Sequence, residues 1–440
     1  MATLVYIYRC QNRFAEAIGT GKALCDQVSK VLKDTHPYTL RAKFQLAAAH
    51  LANGDYSEAL RILEDMMTFS GNFLQPEILR YQLELSRAYF LVGKTRKAQQ
   101  LALHVAIHQA QTDIPTTWTC EGPCTFRCDQ CFAYNVPTEE ALQGLAVRVK
   151  DLVIGRSSFS VHPYFATTLQ HLATMVVRVP KEVSQAELGV VAGLIRNVRS
   201  LNNDGDHINN TGDARLDFAL ALLLKEKLAQ EEDSLGSAAT LFRSVMMWRN
   251  RELGGSHLET IRAYRELMIV YSMRALSNLT MDKPVDISLE EVEYRSLAIL
   301  GSIESTLGLY HPETLQSRLW YFTVTLLTSS HQRCGSDEEK VAKTSQEIYR
   351  EAETILTRAR APSVREERYI EALKIEKTVF DLLLGADLVQ EDLGQFLQHS
   401  QNDIAGTIET NSDEDISLEL KQLQGTFREL WHSFQVVYGG

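Results

Sequence analysis

The chain has 440 residues, 45% of them hydrophobic, only 10 prolines and a formal net charge of −11. That composition suits a mostly helical protein with a large core. The acidic balance speaks against nucleic-acid binding, which needs a basic face, and no apolar run reaches bilayer-spanning length. The N-terminus, MATLVYIYRCQNRFAEA, has no charged region followed by an apolar core and a cleavage site, so no signal peptide is read. Seven cysteines, an odd number, fit reduced thiols or a metal site better than a disulfide frame. A cytoplasmic chain without a membrane anchor is the expectation.

Taken in chain order, the first segment is LVYIYRCQNRFAEA, Leu4 to Ala17. Its pattern returns as LAAAHLANGDYSEA from Leu46 to Ala59, 42 residues on, and as LSRAYFLVGKTRKA from Leu85 to Ala98, 39 residues further. A second pattern opens each unit: HPYTLRAKF at 36, QPEILRYQL at 75, HPYFATTLQ at 162, HLETIRAYR at 257, HPETLQSRL at 311 and, more distantly, APSVREERY at 361. Counting from His36, the tenth and eleventh residues are Leu46 and Ala47. The same offsets give Leu85 and Ser86, Leu172 and Ala173, and Leu267 and Met268. The match weakens to Tyr321 and Phe322 after His311 and to Glu371 and Ala372 after Ala361. A fixed period of this length is the signature of stacked repeats.

One unit explains itself physically. Pro37 suits a first helical turn, where its missing N–H has no intrahelical partner, and it forces His36 out of the α region. Leu40, Phe44, Ala47 and Leu51 then share one helical stripe. Gly54 can end the helix in the left-handed conformation. Tyr56, Ala59, Leu60, Leu63 and Met66 form the stripe of a return helix, and the small Ala47 and Ala59 let the two helices approach. First helices are predicted to begin near Pro37, Pro76, Pro163, Leu258, Pro312 and Pro362.

Three stretches interrupt the pattern. Residues 112–139 hold Pro115, Pro123, Pro137 and a cysteine group; 202–212 reads as a polar loop; 401–415 reads as an acidic linker. Beyond it, Leu420, Leu423, Phe427, Leu430, Phe434 and Val437 mark an amphipathic helix with an acidic start at Asp413 to Asp415. It is read either as a cap on the end of the array or as a helix offered to a partner. The expected organisation is a repeat block over 1–111, a cysteine-rich insertion over 112–139, a second repeat block over 140–400, and the linker with its terminal helix over 401–440.

The sequence Leu-Ala-x-x-His followed by Gly-x-Tyr-x-Glu-Ala resembles the tetratricopeptide repeat, and the longer period with its His-Pro-x-Thr-Leu opening resembles the kinesin-light-chain type. The resemblance covers 1–111 and 257–330 and thins over 140–256 and 330–400. It implies an all-α, right-handed superhelical solenoid of antiparallel helix pairs. It further implies a non-enzymatic interaction scaffold that takes a protein or peptide partner in a concave groove. The chain can alternatively be the sensor or assembly region, C-terminal in position, of a larger nucleotide-binding signalling receptor.

Five residues past each repeat origin stand Arg41, Arg80 and Arg262, a position that faces the groove in such arrays; Arg87 and Arg265 take two further groove positions. Guanidinium pairs well with carboxylate or phosphate, so an acidic peptide is the partner these residues suit; pairing with neighbouring glutamates is the plainer role. Cys120, Cys124, Cys128 and Cys131 bring four soft ligands into twelve residues, which suggests zinc, the one cofactor the residues point to. The short separation of the two cysteine pairs equally fits ordinary thiols in an insertion. His104 and His108, four apart on one helix face, are candidate nitrogen ligands, but HVAIH lacks the glutamate of a zinc-peptidase helix. GTGKA at 19–23 falls on a predicted return helix and is read as structural; no nucleotide-binding or nucleophile-elbow motif occurs, and no catalytic residue is assigned.

Overall fold

In the computed structural model of the chain, the recurrent histidine is a helix cap. The Nδ1 of His36 accepts from the backbone N–H of Tyr38 at 3.2 Å, and His257 and His311 do the same for Glu259 and Glu313, each at 3.2 Å. An accepting Nδ1 carries no proton, so the cap fixes the Nε2–H tautomer. The threonine of the motif closes the other side of the turn. Thr39 Oγ1 donates to the Lys33 carbonyl at 3.0 Å and Thr314 Oγ1 to the Gly308 carbonyl at 2.7 Å, six residues back in both cases. The leucine position then enters the core, as Leu40, Leu79, Ile261 and Leu315 show.

The structure describes residues 1–68, 75–109, 144–146, 165–178, 185–202, 211–226, 234–280, 287–332, 338–386, 388 and 391–438. Among these, helices are the sole regular elements and no strand occurs. In order they are α1 (Ala2–Cys10), α2 (Phe14–Val31), α3 (Pro37–Asn53), α4 (Tyr56–Met67), α5 (Gln75–Leu91) and α6 (Thr95–Gln109). Then follow α7 (Phe165–Arg178), α8 (Gln185–Asn202), α9 (Thr211–Glu226), α10 (Ser234–Leu253), α11 (Leu258–Thr280) and α12 (Leu289–Leu307). The last are α13 (Pro312–Gln332), α14 (Glu338–Ala359), α15 (Pro362–Gly385), α16 (Glu391–Thr410) and α17 (Glu414–Tyr438). Pro37, Leu258, Pro312 and Pro362 open their helices and Pro76 is the second residue of α5, as the repeat pattern predicts; residues 161–164, with Pro163, lie outside the described residues. Gly54 ends α3 in the left-handed conformation at φ 89°; Gly93 at the turn after α5, and Gly254 and Gly308 in the turns before α11 and α13, also hold positive φ.

Consecutive helices pack as antiparallel pairs. The position eleven past each origin is the packing centre: Ala47, Ser86, Ala173, Met268, Phe322 and Ala372 are all fully buried. Where the side chain is small, backbones nearly touch. Ser86 Oγ reaches the Ala98 carbonyl of the next helix at 2.7 Å. A methyl group on Gly21 of α2 would lie 3.1 Å from Leu46 of α3, so GTGKA serves close packing, as read.

The chain forms two compact units. The first joins Met1–Phe90 with Thr95–Val270, and the second joins Leu91–Lys94 with Tyr271–Gly440. The division falls inside α11. Within the first unit, Thr168 donates to Gln109 at 2.8 Å and His171 bonds Ser86 at 3.2 Å.

In the first unit α1, α3, α5, α7, α9 and α11 form an inner layer, joined in turn by Phe44 on Tyr81 (ring centroids 4.5 Å), Ser86 with His171, Arg215 with Thr167, and Lys225 with Glu266 at 2.9 Å. The intervening helices form the outer layer. Asn12, in the turn after α1, donates to the Ser256 carbonyl before α11 at 2.9 Å.

The second unit continues the pairing from α12 to α16, and α17 covers α15 and α16. Leu420, Leu423, Phe427 and Leu430 bury the predicted stripe, with Phe427 edge-on to Phe380 at 6.3 Å. Asp413 caps α17 through Oδ1, which accepts from the N–H of Asp415 at 3.1 Å and of Ile416 at 3.3 Å. The side chains of Phe434 and Val437 lie outside the described residues. The acidic linker expected over 401–415 is corrected: residues 401–410 complete α16, and the break is confined to 411–413. Leu397, Ser400 and Ile404 form a fully buried stripe there, and the polar residues that suggested a linker occupy the opposite face.

Candidate functional site

Charged side chains of the inner helices of the first unit lie within electrostatic reach of one another. Arg87 of α5 acts on Arg9 of α1, on His171 of α7 and on Glu259 of α11. Glu259 keeps 33% of its side-chain surface accessible.

Glu259 is the best-paired carboxylate among them. Arg262 Nη1 donates to it at 2.8 Å and Arg249 Nη2 lies at 3.3 Å. Burial alone would raise its pKa; Arg249, Arg262, Arg87 and Arg215 together outweigh burial and hold the group at about 2. Arg249 is itself buried under the Phe218 ring, 4.6 Å from its centroid, and bonds the Glu259 carbonyl at 2.8 Å. Arg215 donates to the hydroxyl of Thr167. Arg87 faces Glu84 at 3.8 Å, longer than a hydrogen bond.

Arg9 stands under the greatest strain. Its Nε is buried and finds no hydrogen-bond partner among the described residues. Burial lowers its pKa below the ordinary guanidinium value; Glu84 opposes that, and Arg87 and Arg80 reinforce it. His171 stays neutral for the same reasons: burial first, then the charge of Arg87, push its pKa down to about 3. The Ser86 hydroxyl proton goes to Ala98, so the bond between Ser86 and His171 is donated by Nε2–H.

Of the five arginines marked from the sequence, Arg80 and Arg87 act on Arg9, Arg87 and Arg262 act on Glu259, and Arg80 lies 4.8 Å over the Phe44 ring. The Arg41 side chain is half exposed and is held by Glu77 of the next inner helix in a hydrogen bond of 2.6 Å. Arg41 and Arg80 flank the buried Tyr81, whose phenol burial pushes up to about 12. Arg265 is buried, 3.8 Å from Glu266, which itself holds Lys225. Arg41 is thus paired with Glu77, and Arg265 lies in a buried charge cluster with Glu266 and Lys225 between α9 and α11.

Arg9, Arg215, Arg249 and Glu259 escaped the sequence reading. Arg215 had a signal: it stands five past Asn210, the register of Arg41, Arg80 and Arg262, in a unit that opens NTGDARL without a proline. Thr167 holds that register in α7, so the bond between Arg215 and Thr167 joins equivalent positions of adjacent repeats. Arg9 had none, because it stands outside that register and meets Arg87 and Glu84 only through tertiary packing.

Cys120, Cys124, Cys128 and Cys131 lie outside the described residues. His104 and His108 do share a face, ring against ring at 4.3 Å, and burial followed by the His108 charge lowers His104 to about 4. Among the described residues no group of three or more metal-ligating side chains forms, and no helix is long and apolar enough to cross a membrane.

No family model and no curated protein matches the sequence. Solved structures that are similar include the nearly identical TPR-like repeats of a Podosopora anserina kinesin light chain, at 19% identity and a TM-score of 0.35. A single-substitution form of the same repeats gives 18% and 0.36. Each comparison covers 57% of this chain and 93% of the other.

Proposed function

We propose that the chain is a non-enzymatic helical-repeat scaffold whose first unit takes an acidic segment of a protein partner at the arginines of its inner helices. The observation that carries this reading is the set of arginines that converge on one carboxylate: Arg262 donates to Glu259 at 2.8 Å, Arg249 lies at 3.3 Å, and Arg87 and Arg215 act on the same group. Guanidiniums grouped in this way suit the carboxylates of an acidic segment, which they would bind through charge-assisted hydrogen bonds. The free thiols Cys10 and Cys25 accord with a reducing, cytoplasmic setting.

The test is fluorescence anisotropy of the full chain with two labelled peptide pools, one glutamate-rich and one lysine-rich. The glutamate pool is expected to bind, to weaken with added salt and to be lost on Arg87→Glu combined with Arg262→Glu. Equal binding of both pools removes the reading.

A further inference from the structure

We propose that His104 and His108 form a two-histidine clip on α6 for a divalent metal ion that prefers imidazole, such as zinc. The argument starts from geometry. Four residues apart on one helix, the two side chains leave the same face, one turn above the other. Their ring centroids lie 4.3 Å apart and their planes cross at 62°. Two Zn–N bonds of about 2.0–2.1 Å at a tetrahedral angle set their nitrogens about 3.3 Å apart. Rings at the observed separation reach that spacing by side-chain rotation, with the helix backbone unmoved. The metal-binding lone pair of an imidazole lies in the ring plane, so crossed rings can aim at one point where stacked rings cannot. Both residues are half-buried, which leaves part of the pair open to an arriving ion.

Chemistry and position agree with the geometry. Neutral imidazole is the form that binds metal, and burial keeps protons off both rings, with the charge of His108 pushing His104 down further. Two imidazolium charges this close repel, whereas one divalent ion takes a nitrogen from each ring. Gln109 ends α6, so the last carbonyls of the helix, the negative end of its dipole, lie beside His108 and favour a cation. Imidazole suits zinc, copper and nickel and leaves calcium and magnesium to oxygen ligands. With two protein ligands the other coordination positions go to water, as in an open site, so the ion exchanges. When bound it braces one turn of α6 and stabilises the folded chain by mass action.

The experiment titrates zinc chloride into the full chain by isothermal calorimetry, in a reducing buffer without chelator. The parent is compared with His104→Gln, His108→Gln and His399→Gln, His399 being an exposed histidine of α16. Each is measured again with Cys120, Cys124, Cys128 and Cys131 replaced by serine, so that thiolates cannot account for the metal. In the serine background zinc binding is expected to weaken at least about tenfold in His104→Gln and in His108→Gln alike, since loss of a group that merely orients a ligand already costs roughly 10–100-fold. His399→Gln should leave it unchanged. Zinc should also raise the thermal midpoint of the serine-background chain and leave that of the two clip variants in place. Melts without metal establish that each variant is folded. Should the serine background fail to fold, cobalt absorption of the parent decides: Co2+ on thiolate shows sulfur-to-metal charge transfer, and on imidazole only ligand-field bands, which His104→Gln should remove. No zinc uptake in the folded serine background overturns the clip. Uptake untouched by both clip variants places the metal elsewhere and overturns it as well. So does a loss confined to one of the two, which a single surface histidine explains.

Discussion

Asn12 and Ser256, at opposite ends of the first unit's sequence, are joined by one hydrogen bond of 2.9 Å. The bond matters because it links the turn after the first inner helix to the turn before the last. Asn12 holds φ at 57°, a left-handed conformation that asparagine tolerates better than most side chains. Asn12→Ala is expected to lower stability by about 1–2 kcal/mol, combining the lost bond with backbone strain. Asn12→Gly should lose the bond and relieve the strain, and so fall between the two in chemical denaturation. Equal midpoints for all three would show that the contact adds nothing.

Ala47 sits at the packing centre of its repeat and is fully buried. Ala47→Leu forces apart helices whose approach depends on a methyl group, and should destabilise by about 1–3 kcal/mol. A thermal melt compared with Ala47→Ser, which matches the residue found at this register in the next repeat, provides the check; Ala47→Ser should be much milder.

Removing a histidine cap tests the His-Pro motif. His36→Ala deletes the acceptor for the Tyr38 N–H, at an expected loss of about 1 kcal/mol, and His36→Asn, another good N-cap, should restore most of it. If asparagine is no better than alanine, the imidazole is acting by packing instead.

His171 and His104 make the fold acid-sensitive. Burial leads in holding them at about 3 and about 4, against 6.5 for free imidazole. The unfolded chain therefore takes up protons first. The stability contributed by the neutral imidazoles is complete above pH 6.5 and is lost as pH falls through the window toward 4 and 3. Between pH 7 and 5, His171 alone should account for on the order of 2 kcal/mol. Denaturant midpoints of the parent and of His171→Gln at both pH values measure this: the variant should lose less on acidification. An identical loss would assign the acid sensitivity to other groups.

In the second unit, Glu376 of α15 is fully buried and bonds Ser400 of α16 at 2.8 Å and Arg360 at 3.2 Å. Arg360 also reaches the Phe396 carbonyl at 3.0 Å and Ser400 at 2.7 Å, and lies over the Phe396 ring at 4.6 Å. Glu376→Ala leaves that guanidinium buried without its counter-charge and should destabilise by roughly 3–5 kcal/mol. Glu376→Ala combined with Arg360→Met should recover a substantial part, since no charge is then stranded. A double variant as unstable as the single one would argue against a stranded charge.

The sequence by itself determined where helices start, how they turn and which face is buried. His-Pro openings, glycines at left-handed turns and small residues at the packing centre act within one helix pair, so their chemistry is complete in a short stretch of chain. Tertiary structure decided the rest. That Arg41 is held by Glu77 depends on a side chain 36 residues away, and that Glu266 beside Arg265 is held by Lys225 depends on a neighbouring helix. The approach of the turn before α11 to the turn after α1 depends on the rotation accumulated over successive helices, which no single repeat encodes; it brings Ser256 to Asn12 and Glu259 within electrostatic reach of Arg87.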